Sequence, residues 1–144
     1  MSSQQPPSHL FTFIIDERLG PTMGLGRFPH GQYSPMEAYT QMTMMVVDNT
    51  SEDVQAAFGY QFLVSGYGGR SALAAWTDPV HAIAWAQHAL VEVPEMGFLR
   101  DALIITVPTA ALMHIAKYGA NALVYMNEMT DDGVRTCFLE SDTI

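Results

Sequence analysis

GYGGRSALAAWTDPVHAIAWAQHAL, residues 66–90, changes its hydrophobic period once, and that change decides the fold class. Gly66, Gly68 and Gly69 allow a tight turn between YQFLV (60–64), which reads as a strand, and SALAAW (71–76), a second apolar segment. The two are expected to form a hairpin or a bulged turn. Thr77 and Asp78 can each cap a helix, Pro79 suits a first helical turn, and Val80, Ile83, Ala84 and Trp85 recur at helical spacing. A strand thus passes directly into a capped helix.

The same two periods recur on either side. LFTFII (10–15) reads as a strand closed by the charges, glycine and proline of DERLGP. GPTMGLGRFPHGQ (20–32) is a loop whose G-x-G lacks the third glycine and the strand-to-helix setting of a dinucleotide fingerprint. In SPMEAYTQMTMMVV (34–47), Ser34, Pro35 and Glu37 form a capping box, and Met36, Tyr39, Met42 and Val46 are expected to share one apolar helical face. DNTSEDVQAAF (48–58) adds a short helix capped by Thr50 or Ser51. ALIITV (102–107) reads as a buried strand and PTAALMHIAKYG (108–119) as a helix that Thr109 caps and Gly119 ends. ALVYMN (122–127) is a further strand, and Asp132-Gly133 turns the chain into a last one with alternating Val134, Thr136 and Phe138. About six strands and about four helices without strict alternation imply an α+β fold with a mixed or antiparallel sheet. One compact domain is expected over residues 9–144, behind a loose polar tail at 1–8.

A chain of 144 residues that is 49% hydrophobic and 15% charged has the size and composition of one self-folding domain. Its formal charge of −9 repels phosphate backbones and anionic lipids, so nucleic acid and membrane surfaces are not expected partners, whereas a basic protein surface is compatible. Cys137 is the single cysteine, which excludes an intrachain disulfide and a Cys-rich zinc site. The sequence shows no long apolar span and no leader of basic flank and apolar core, so a cytoplasmic location, in its own or a host cell, is expected.

Several residue types carry possible chemistry. His81 and His88 fall two helical turns apart, too far to chelate one ion as an i, i+4 pair does, and no metal is expected. His114, between apolar neighbours, reads as a boundary histidine. His30 differs, because in FPHGQYS the adjacent Gly31 lets backbone approach a ligand closely and Tyr33 offers a ring. Arg70, after two glycines, suits a phosphate or carboxylate fork or a structural pairing with one of the many acids. Glu128 ends an apolar strand, where a carboxylate can stabilise a cation or accept a proton.

HGQY (30–33), then GGR (68–70) with LAAWTDPVHAIAWA (73–86), then YMNEMTDDGVRTCFLE (125–140) stand in an order that resembles the ADP-ribosyltransferase-like proteins, a superfamily that includes NAD-degrading RES-type toxins. The resemblance implies NAD as substrate. It places His30, with Gly31, at the adenosine ribose, Tyr33 or Trp76 on the nicotinamide, and Arg70 over the phosphates. Thr77 stands where the family has a serine, and Glu128 becomes the catalytic carboxylate. The family's Ser-Thr-Ser strand reads AWT here, and its paired acids read Asn127-Glu128. The implied activity is transfer of ADP-ribose to a macromolecular target, or NAD hydrolysis, in a toxin or effector role. His30, Thr77 and Glu128 should then converge within about 10 Å in a ligand-sized cleft. Composition alone also suits a non-enzymatic acidic inhibitor, immunity-type or nucleic-acid-mimicking, that blocks a basic protein partner.

Overall fold

Leu10 and Ile14 belong to one apolar cluster and Phe13 to another, and all three are fully buried, so β1 (His9–Ile15) lies in a sheet covered on both faces. The structure is a computed structural model that describes residues 8–15, 24–42, 44–67, 70–119, 122–130 and 133–139, without the side chains of 65–67, 70, 123, 125, 128–130 and 133–139. The remaining strands are β2 (Met45–Val46), β3 (Gln61–Phe62), β4 (Val64–Tyr67), β5 (Arg70–Trp76), β6 (Ala102–Pro108), β7 (Leu123–Thr130) and β8 (Gly133–Leu139). They form one sheet in the order β2-β6-β1-β5-β7-β8, with β3 added on β1 and β4 on β5. The pairs β2/β6 and β5/β7 are parallel and the others antiparallel, so the sheet is mixed. Helices α1 (Pro35–Gln41) and α3 (Pro79–Glu92) supply the cluster around Phe13, while α2 (Ser51–Ala57) and α4 (Thr109–Tyr118) supply the cluster around Leu10 and Ile14. The result is one compact α+β domain.

The centre of the sheet forks. Among the described residues β1 and β5 pair at Phe11↔Trp76 alone, and further along the segment 61–67 enters between them. Leu63 stands at the branch: its amide donates to the Phe13 carbonyl at 3.0 Å and its carbonyl accepts from the Ala74 amide at 3.2 Å. The N–H and C=O of a strand residue point to the same side, so Ala74, having spent its N–H on Leu63, presents its carbonyl to the gap between the diverging strands. The fully buried Thr12 hydroxyl fills that gap, donating to the Ala74 carbonyl at 2.6 Å. The strand expected over 60–64 is therefore broken at Leu63 into β3 and β4.

Local capping chemistry matches its sequence signals in part. Ser34 and Glu37 close the expected capping box, with Glu37 N–H donating to Ser34 Oγ at 3.1 Å and Ser34 N–H to Glu37 Oε1 at 2.9 Å. Thr50 caps α2 through the Asp53 amide at 3.1 Å, and Asp78 caps α3 through the Val80 amide at 2.8 Å. Thr109 does not cap α4. It is the first helical residue, Pro108 holds the cap position, and the Thr109 amide donates to the Ser8 carbonyl at 2.9 Å. Gly119 ends α4 with a negative φ of −95°, and what requires glycine is space: a Cβ there would lie 2.7 Å from Phe58 Cδ1.

The long methionine-rich helix is shorter than its pattern. α1 stops at Gln41, Met42 is extended, and Met45 and Val46 pair in parallel with Ile105 and Thr106. Met36 and Val46 are 56% and 55% exposed while Ala38 and Met42 are buried, so the expected face does not form. Pairing with β6 outweighs the helical period of the run. Between α3 and β6, Pro94–Asp101 winds as a kinked 3-10 segment that no sequence signal marked.

Candidate functional site

Parallel pairing of β5 with β7 brings their carboxyl ends together where α3 begins, and such ends are where α/β sheets commonly bind ligands. Trp76 is in register with Asn127. The Thr77 amide donates to the Asn127 carbonyl at 3.0 Å, and the Thr77 hydroxyl donates to the same oxygen at 3.4 Å. This holds Thr77 abreast of the backbone of Glu128, the next residue of β7. Asp78 then turns the chain into α3. His81 Nδ1, screened from solvent and without a hydrogen bond, sits 3.6 Å from Asp78 Oδ2, so the two interact by charge alone when the imidazole is protonated.

The two tryptophans differ in exposure. Trp76 is only 4% exposed, edge-on to Phe13 at 5.6 Å and tilted against Trp85 at 5.2 Å, so its ring belongs to the core and has no open face for nicotinamide. Trp85, at 36%, is the ring of the pair that reaches the surface.

His30, Gly31 and Tyr33 form a separate, well-anchored loop. Gly31 has φ +93°, a region that disfavours side chains, and a Cβ there would meet nothing, so the glycine serves the backbone turn. The amide of Gln87, fully buried on α3, donates to the carbonyls of Phe28 at 2.9 Å and Tyr33 at 3.3 Å, pinning the loop on both sides of His30. Phe28 meets Tyr33 edge-on at 5.4 Å, and the His30 ring lies 6.0 Å from that of His88.

The sequence-predicted residues therefore divide into three places. His88 lies ten residues beyond Asp78, about 15 Å along α3 at the helical rise, which sets His30, Gly31 and Tyr33 away from Thr77. The His30 loop thus packs beside the later turns of α3, whereas Thr77 precedes the first turn. Arg70 begins β5 and Thr77 follows its end, about 23 Å apart at the strand rise, so Arg70 is not at the Thr77 end of the sheet. The side chains of Arg70 and Glu128 lie outside the described residues, as do residues 68 and 69. What the fold does bring together is Thr77 and the Glu128 backbone. Sequence reasoning missed Gln87 and Trp85; the signal for Gln87 was a lone amide in the apolar run AIAWAQHAL.

Among the described residues no three His, Cys, Asp or Glu side chains gather as metal ligands, and no helix is long and apolar enough to cross a membrane. Comparison with protein-family models, curated proteins and solved structures finds no match to this chain.

Proposed function

We propose that this protein binds NAD at the carboxyl ends of β5 and β7 and transfers ADP-ribose to a macromolecular acceptor or to water. The observation that carries the reading is the pair of hydrogen bonds from Thr77 to the Asn127 carbonyl, which keeps Thr77 abreast of the backbone of Glu128, the two being the residues that most closely match the transferase-like motifs. A carboxylate at 128 would hold the ribose 2′-hydroxyl and stabilise the oxocarbenium-like charge that develops as nicotinamide leaves. The Thr77 hydroxyl would orient the same sugar. Trp85 replaces Trp76 as the ring available for stacking.

The site has an electrostatic handicap. Arg70 starts the strand that Thr77 follows, and the nearest positive end, the N-terminus of α3, already serves Asp78. In a chain of charge −9, binding of the NAD diphosphate should strengthen as salt rises. The test is release of nicotinamide from labelled NAD by the full chain, with binding by calorimetry, repeated on Glu128→Gln. Turnover that disappears in the variant while binding remains supports the reading. Absence of binding by the folded wild type at millimolar NAD overturns it and favours an acidic partner-blocking role.

A further inference from the structure

On the face of the sheet opposite α3, where α2 gives way to β3 beside the end of α4, lies a cleft of about 270 Å³. Phe58, Tyr60 and Phe62 line it together with Ile115 and Gly119. Its volume is near the lower end of small-ligand sites. Gly119 lets the Phe58 ring lie close against the end of α4, because a Cβ there would sit 2.7 Å from that ring and displace it. The Tyr60 and Phe62 rings are 6.4 Å apart and inclined at 50°, so they present different faces.

Three features of this place share one sign. The faces of aromatic rings are electron-rich and attract cations. α4, ten residues long, ends at the cleft and brings the negative end of its dipole there. The chain as a whole carries −9 and draws cations from a distance. Beside the cleft, outside its lining, Lys117 Nζ in the last turn of α4 sits 5.2 Å from the centre of the exposed Tyr118 ring. The same turn places His114 against Tyr118 at 4.8 Å and against Phe58 at 5.6 Å.

From this we propose that the cleft between α2, β3 and α4 binds a small organic cation of the alkylammonium class, with the charge on the rings and the apolar body against Ile115. The site is independent of the NAD reading and lies on the other face of the sheet. Lys117 is its natural competitor, since a fixed positive charge in the last turn of α4 opposes a bound one.

The experiment is an NMR titration of the full chain with choline and, separately, with its uncharged isostere 3,3-dimethyl-1-butanol. Choline should move resonances of Tyr60, Phe62 and Gly119 and bind at least about tenfold more tightly than the alcohol. Lys117→Gln should tighten choline binding about twofold to fivefold by removing the competing charge. Gly119→Ala should abolish it. Equal affinity for the two probes, shifts confined to other parts of the molecule, or weaker choline binding by Lys117→Gln each overturns the proposal. If Gly119→Ala fails to fold, the isostere comparison and the shift map of the wild type still decide.

Discussion

Replacing Thr12 with valine keeps the shape of the side chain and removes one hydroxyl, so it isolates the bond that closes the fork between β1 and β5. Thr12 is fully buried, and its hydroxyl is the donor that meets the Ala74 carbonyl. Loss of the donor leaves that carbonyl desolvated and unpaired, which costs about 1–3 kcal/mol. The added apolarity of valine returns up to about 0.8 kcal/mol, leaving a net loss of up to about 2 kcal/mol when that return is complete. In a chain of this size that lowers Tm by up to about 6 °C. Urea denaturation of Thr12→Val should show an earlier midpoint with an unchanged m-value. Amide exchange at Leu63 and Ala74, the two backbone groups bonded across the branch, should accelerate. Packing alone makes the opposite forecast, because valine is the better core residue. A Thr12→Val protein as stable as wild type, or more so, would refute the argument that the hydroxyl substitutes for a missing ladder bond.

Two further perturbations address the anchors of the other face. Gln87→Glu replaces the donor beneath the 28–33 loop with a buried acceptor facing the Phe28 and Tyr33 carbonyls, so it should destabilise the protein by about 3 kcal/mol or more. The deficit should shrink as pH falls and the carboxyl regains a proton to donate; thermal melts at pH 5 and pH 8 that lose the same amount would contradict this. Ser34→Ala should cost about 1 kcal/mol, measured by urea midpoint, by opening the capping box. The Glu37 carboxyl is held below the usual glutamate range, first by the Ser34 backbone N–H and then by its hydroxyl. Because the folded value is the lower one, the stabilisation is present above the ordinary carboxylate range and fades as pH falls through the folded value. An NMR titration of Glu37 should show that depression in wild type and a smaller one in Ser34→Ala, which removes the hydroxyl and keeps the backbone N–H.

Local chemistry made parts of this structure legible in advance. The Ser34–Glu37 box and the Asp78 cap need only residues a few positions apart, and both form as their spacing predicts. The end of α1 was not legible, because Met45 and Val46 answer to Ile105 and Thr106, far along the chain. The break at Leu63 likewise depends on Phe13 on one side and Ala74 on the other. At the candidate site, Thr77 and Glu128 were readable as single residues, but their adjacency comes from parallel pairing that no local pattern encodes. His30 and Arg70 show the converse: motif order is silent about which end of a strand or helix each residue occupies, and here the ends differ.

The position of β1 has a bearing on how the chain reaches this state. β1 is first in sequence yet central in space, and its full ladder is with β6, where Leu10 meets Val107 and Ile15 meets Ala102. On the ribosome, LFTFII therefore emerges long before its partner exists, an apolar β-prone segment of the kind that associates with other chains. Its early neighbours, α1 and α2, are short helices that cannot cover both of its faces alone. Synthesis must pass Pro108 before the sheet can close. Folding is thus set by long-range closure, with slow rates and an interval in which β1 is made but its β6 partner is not.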